Sequence, residues 1–374
     1  MKKKYLIIGV IIVVILAVII ETPNKQTGPI KVGFLGALSG DLASLGDEAK
    51  NSTELAAKEI NAGGGINGRS VEITYEDGKC SGIDATSATK KLVEINKVKI
   101  IFGGTCSSET LAAAPITESS KTLLFTSWAL SPKITVNNKF VFRNAPSDTS
   151  GAKAIADLAY KNGVRKISII TENTDYALGF EPVFIDEFES LGGQIVDKES
   201  FNTDNKDLRS VVSKTLINQP DAVLINAQGS NTGFVAKALS DFGNRSPLYG
   251  NVFFSDTNVL KNYGSYLENG YMSEPADLDS NNVKVKNFVS SYEKSFGSKP
   301  QYLFWAAASY DAVNIFAEAI KNVGDDSIKI KDYIHNMKEY DGVLGKYSFD
   351  KDGDVVGIKF DNKQIVGGKV QLIK

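Results

Sequence analysis

The feature that most constrains this chain is an alternation repeated along most of its length: a short apolar run, a turn rich in glycine or serine, then a longer helical stretch. Residues 30–35 read as a strand, 47–61 as a helix, 71–75 as a strand, 84–96 as a helix, 99–102 as a strand, 109–120 as a helix and 122–126 as a strand. Apolar runs such as Ile100-Ile101-Phe102 suit strands buried on both faces, and alternation with helices calls for an open parallel sheet with right-handed crossovers. The pattern restarts after residues 140–146, with helices expected at 150–162, 176–191, 207–218 and 233–242. The strands between them are expected at 166–170, 194–199, 222–226 and 248–253. A loop at 272–282 leads back to helices at 283–296, 302–323 and 328–337, and residues 346–373 read as hairpins with acid-glycine turns. The expectation is an α/β protein of two similar doubly wound lobes, with more than one strand of chain running between them.

The first residues bear on the compartment. Three lysines, Lys2 to Lys4, precede an apolar run from Tyr5 to Ile20. That order leaves the N-terminus in the cytoplasm and exports the rest of the chain. The run ends without the small residues of a cleavage site and without a lipid-accepting cysteine. Residues 1–29 are therefore expected to be an uncleaved signal-anchor helix with a polar tether, holding the remainder at the outer face of the cell membrane. A net charge of −2 with no aromatic-basic cluster argues against a nucleic-acid surface.

One stretch, Lys99 to Pro115, concentrates the chemistry. A buried strand runs into Gly103-Gly104, which permit close backbone approaches, and Thr105 to Ser108 then supply hydroxyls where a helix begins. Such a junction can hold a carboxylate or phosphate at the carboxyl edge of a parallel sheet. The same residues also fit an ordinary strand-to-helix loop. Cys80 and Cys106 each follow a strand of the same lobe, so both lie on that edge, and outside the cytoplasm they are expected to form a disulfide.

Catalytic signatures are missing from the sequence. His335 is the single histidine, which leaves no basis for a Ser-His-Asp or Cys-His arrangement or a zinc site. There is no phosphate loop, and the Gly63-Gly64-Gly65 run comes after a helix rather than a strand, the wrong context for a dinucleotide site. No enzyme activity, cofactor or metal is expected, and an α/β enzyme remains only a remote alternative.

Several segments together resemble the type I periplasmic binding proteins, most closely the leucine/isoleucine/valine-binding branch of the branched-chain amino-acid ABC transporters. They are residues 30–40, Gly46-Asp47, the run from Ala57 through Asn61-Ala-Gly-Gly-Gly65 to Gly68, Tyr75 to Asp77 with Cys80, Cys106-Ser107-Ser108, Tyr310-Asp311-Ala312, and the turn from Phe349 to Asp354. The resemblance implies two lobes joined by three crossings, residues 30–144 with 276–345 against 145–275 with 346–374, and a ligand cleft between them. It implies that Ser107 holds a ligand carboxylate, that the loop Trp128-Ala129-Leu130-Ser131 adds contacts, and that Tyr176 and Trp305 wall the pocket. Leu45 stands where that family carries an aromatic.

One departure concerns the ligand ammonium. Amino-acid binders of the family place a carboxylate directly after the strand equivalent to Leu248-Tyr249-Gly250, where this chain has Asn251, and its first acid after that is Asp256. Either Asp256 or Asp175 takes the role, or the ligand is an apolar carboxylate without an ammonium, since a buried ammonium left unpaired is costly. The expected function is delivery of an amino acid or related small acid to an ABC permease by a membrane-tethered monomer. A sensory ligand-binding domain on the same fold is the alternative.

Overall fold

The computed structural model describes residues 28–373, and the expected anchor over Met1 to Ile20 lies outside them. Among the described residues no helix is long and apolar enough to cross a membrane.

The first sheet is all parallel. It contains β1 (Ile30–Gly36), β2 (Val71–Asp77), β3 (Ile100–Gly103), β4 (Leu123–Thr126) and β5 (Val141–Arg143), in the order β2-β1-β3-β4-β5. The second sheet takes β6 (Lys166–Glu172), β7 (Gln194–Phe201), β8 (Ala222–Asn226), β9 (Leu248–Gly250) and β10 (Tyr271–Pro275). A small antiparallel sheet comes next, of β11 (Tyr340–Gly342), β12 (Gly345–Phe349) and β13 (Val355–Val356). Finally β14 (Phe360–Val366) and β15 (Lys369–Leu372) complete the second sheet as β15-β14-β10-β9-β8-β6-β7. Central strands such as β3 and β8 are buried at nearly every position, as strands covered on both faces must be. The chain therefore passes three times between the sheets: after β5, after β10 and after β13.

The structure corrects three readings. Residues 141–143, read as part of a crossing, form the fifth strand of the first sheet, where Leu124 pairs with Val141. Residues 272–275, read as the start of a loop, belong to β10, held between β9 and β14. The stretch 346–356, assigned to lobe II, packs on the first lobe. Tyr347 and Phe349 join a core that includes Ile30, Phe125 and Phe142, with Phe349 set edge-on 5.7 Å from Phe125. Asp311 fastens this hairpin by accepting the N–H groups of Val343 (2.9 Å) and Leu344 (3.0 Å).

Arg143, the last residue of β5, is tied to the turn that leads into β13. Its guanidinium is fully buried, pairs with Asp354 at 2.6 Å, and donates to the Ser131 carbonyl at 2.8 Å. A buried arginine needs this degree of pairing, because an isolated one would carry a large desolvation cost.

Candidate ligand cleft

The Gly103-Gly104 turn behaves as its composition suggests. Gly103 has φ +135°, and a Cβ there would sit 1.8 Å from the Leu35 carbonyl oxygen, while one on Gly104 would meet the Glu109 Cβ at 2.4 Å. The turn delivers the chain to the helix Ser107–Ser120, which starts two residues earlier than expected and has Ser107 as its first residue. Glu109, in that first turn, is wholly buried. One of its oxygens accepts the Cys106 N–H (3.0 Å) and the Thr105 hydroxyl (3.1 Å), and the other accepts the Cys80 N–H (2.9 Å). Burial holds the Glu109 carboxyl above the usual range, and these donors oppose the shift. Cys80 and Cys106 are joined in a disulfide, as expected, across 26 positions of sequence.

Between the lobes lies a cavity of about 70 Å³. At roughly 10–15 Å³ per water this is room for about five waters, the scale of one small solute. The first lobe contributes Ser107 and Thr105 at the helix start, Trp128 and Leu130 from the loop after β4, Leu42 and Leu45, and Tyr302 and Trp305 from the start of the helix Leu303–Val323. The second lobe contributes Tyr176, Gln228, Val252, Phe253, Ser255 and Asp256. Among the described residues, no lysine or arginine lines the cavity. Its walls are mostly apolar, with the Thr105 and Ser107 hydroxyls on the first lobe and, among the described lining residues, a single carboxylate, Asp256, on the second.

The residues singled out from the sequence divide into two groups. Ser107, Trp128, Tyr176, Trp305, Leu45 and Asp256 all line the cavity. Ala129 and Ser131 do not. The chain bends at Ser127 and Trp128, where Thr126 Oγ1 accepts the Ala129 N–H at 3.2 Å, and this bend leaves Trp128 and Leu130 at the cavity and their neighbours away from it. Ala129 is buried among Leu124, Ile134 and Val141, and Ser131 lies behind the wall, its N–H donating to the Ser107 hydroxyl oxygen at 3.2 Å. Asp175 sits outside, exposed at the rim beside Asp41. Phe254 is fully buried in the second-lobe core, while its neighbour Phe253 faces the cavity. Residues 252–255 form a 3-10 turn capped by Asn251, so the alternation expected of a strand does not hold there.

Tyr302 was missed, although it stands one helical turn before Trp305. Its hydroxyl donates to Asp256 Oδ2 at 2.8 Å across the cleft, and its ring lies edge-on to Trp128 at 6.0 Å. The other oxygen of Asp256 accepts the Val259 N–H at 2.9 Å, capping a short helix. Trp128 donates its indole N–H to the Ser309 hydroxyl at 2.8 Å and lies 6.0 Å from Trp305. The Trp128 indole is thus fixed and its polar edge satisfied, leaving the ring as an apolar wall. Tyr176 packs edge-on to Phe253 at 5.5 Å. Behind it, burial pushes the Asp148 carboxyl up to about 7, opposed by the Tyr176 hydroxyl and the Arg143 charge.

Chemically this arrangement suits a small amphiphile. The start of the helix Ser107–Ser120, with its oriented N–H groups and hydroxyls, favours a carboxylate. The aromatic and leucine walls favour an apolar body, and Asp256 favours a positive group at the other end.

Comparison with known proteins is consistent with this geometry. The periplasmic binding protein family model matches residues 29–357. The Leu/Ile/Val-binding protein of Escherichia coli (strain K12) is 25% identical over 334 residues, covering 88% of this chain and 89% of that protein. The branched-chain amino acid transporter substrate-binding protein of Streptococcus pneumoniae, solved in complex with isoleucine, has a TM-score of 0.81 and 27% identity, covering 92% of this chain and 99% of that one. A leucine-binding protein from Thermotoga maritima has a TM-score of 0.84 at 24% identity, covering 92% and 98% of the two chains, a likeness of fold.

Proposed function

Since the chain belongs to the periplasmic binding protein family, we propose that it is the extracytoplasmic solute-binding protein of an ABC uptake system, closing its lobes over an apolar α-amino acid of the branched-chain type. The observation that carries this reading is the pairing, across one small apolar cavity, of a helix N-terminus on the first lobe with the Asp256 carboxylate on the second. In this reading Ser107 and the N–H groups beside it hold the ligand carboxylate, Asp256 faces the ammonium, and Leu45, Trp128, Trp305 and Tyr176 enclose the side chain. Delivery to a membrane permease accords with the family, and the protein acts as a monomer.

The contacts of Asp256 favour a second reading. Both its oxygens already accept a hydrogen bond, from Val259 and Tyr302, which would suit an apolar carboxylate lacking an ammonium. Calorimetry of the full chain with L-leucine and with 4-methyl-2-oxopentanoate, the same skeleton without the amine, separates the two. The first reading expects leucine to bind at least tenfold more tightly, and the reverse order would overturn it. The chain's two tryptophans, Trp128 and Trp305, both line the cavity, so the bound ligand should change the whole of the intrinsic emission. Binding with unchanged emission would place the site elsewhere.

For the compartment, we propose that Lys2 to Lys4 and the apolar run to Ile20 are retained and hold the protein to the membrane. Expressed protein should then sediment with membranes and carry its original N-terminus. A released form beginning between Glu21 and Asn24 would show that a signal peptidase removes the run.

A further inference from the structure

The lobes also meet outside the cavity. The helix Ser230–Asp241 has Gly229 at its N-cap position, so no side chain of its own segment caps it. A carboxylate from the opposite lobe does so instead. Asp41 Oδ2 accepts the Ser230 N–H at 3.3 Å, and the Ser230 hydroxyl lies 2.8 and 2.7 Å from the two Asp41 oxygens. Gly229 is shaped for this approach. Its φ is +53°, and a Cβ on it would stand 2.7 Å from Asp41 Oδ2 and 2.9 Å from Leu42 Cδ2.

Both partners are held in advance of the contact. On the first lobe, Asp77 accepts the Leu38 N–H (2.9 Å) and the Ser39 hydroxyl (2.6 Å), and Thr105 Oγ1 accepts the Ala37 N–H (2.9 Å). On the second lobe, the fully buried Glu172 accepts the Gln228 N–H (2.9 Å) and the Asn231 side-chain amide (2.7 Å), bracing the turn that carries Gly229 and Ser230. The contact fastens two residues that wall the cavity, Leu42 beside Asp41 and Gln228 beside Gly229.

From this we propose that Asp41 is a closure latch: a positioning residue that never touches the ligand but caps the Ser230–Asp241 helix only when the lobes are together, and so sets how long a ligand stays bound. The proposal rests on the reading of the cavity as a ligand site. An interaction formed after closure slows dissociation and leaves the encounter rate alone. Capping contacts of this kind correspond to about fivefold to tenfold in an equilibrium constant.

The test is stopped-flow tryptophan emission of the full chain with L-leucine as the probe, for wild type, Asp41→Ala, Ser230→Ala and the double variant. The latch expects dissociation about five to ten times faster in Asp41→Ala and in the double variant, and a smaller rise in Ser230→Ala, which keeps the N–H bond to Asp41, with association within about twofold of wild type and ligand-free melting unchanged. The double variant should match Asp41→Ala, because removing the carboxylate already removes both the N–H and the hydroxyl bonds. Asp41→Asn keeps an acceptor and should recover part of the loss. Wild-type dissociation in Asp41→Ala, or a loss confined to association or to ligand-free stability, would overturn the proposal. If wild type does not bind leucine, the ligand assignment fails, and the same rates are then read with 4-methyl-2-oxopentanoate as the probe. Faster release of that probe from Asp41→Ala then supports the latch, and an unchanged rate overturns it.

Discussion

Asp256→Asn should weaken leucine binding by roughly thirtyfold or more. Removing one member of a buried, hydrogen-bonded charge pair costs about 2–5 kcal/mol, much of it from leaving the other charge unpaired. Asparagine keeps the shape of the side chain. It also retains an oxygen to accept the Val259 N–H that caps the helix Thr257–Tyr263, so folding should change little. On the amino-acid reading, the substitution removes the charge that faces the ligand ammonium. Tyr302→Phe is the companion variant. It deletes the hydroxyl that bonds Asp256 across the cleft and leaves the ring against Trp128. Its loss should be nearer threefold to tenfold, in keeping with about 0.5–1.5 kcal/mol for one hydrogen bond. Calorimetry of both variants with leucine and its keto-acid counterpart provides the check. Equal or tighter binding of leucine by Asp256→Asn would sink the assignment of the ammonium to Asp256.

Loss of the Cys80–Cys106 disulfide should lower stability by about 3–4 kcal/mol. A bond spanning 26 positions removes that much chain entropy from the unfolded state. In a lobe of this size the melting temperature should fall by about 7–15 °C. Cys80→Ser with Cys106→Ser measures it by calorimetric melting without reductant in the sample. The pair also bears on the cleft. Cys106 precedes Ser107 directly, and the Cys80 sulfur faces the Gln228 side-chain amide of the second lobe at 3.7 Å. Leucine affinity should therefore fall along with stability. An unchanged melting temperature would mean that the Glu109 bonds to both cysteine N–H groups suffice to hold the two loops.

Much of this protein was legible in its sequence because its fold is built from local units with recognisable periods. Short apolar runs leading into helical stretches place β1 to β4 and β6 to β9 to within a few residues, since strands covered on both faces leave little choice of composition. The Gly103-Gly104 turn, Ser107 at a helix start and two cysteines on one sheet edge could be read in the same way, because each depends on its immediate neighbours. The cleft walls were partly legible: Trp128 and Trp305 stand out as large residues at a sheet edge and a helix start.

Tertiary structure alone decided the rest. Nothing in residues 271–275 says that β10 will find β14 across a long stretch of chain. Nothing in Tyr347 and Phe349 says that their rings will be buried against Phe125 rather than on the lobe they lead to. Which of Phe253 and Phe254 faces the cavity turned on one 3-10 turn, and which of Ala129 and Leu130 did so turned on the bend that follows β4. Tyr302 with Asp256, and Asp41 with Ser230, lie on different lobes, and their meeting depends on the closed arrangement of two separately folded units. A sequence pattern reports the period of burial along a segment. It carries no record of which distant surface provides that burial, and a site assembled between two lobes is made of such distant encounters.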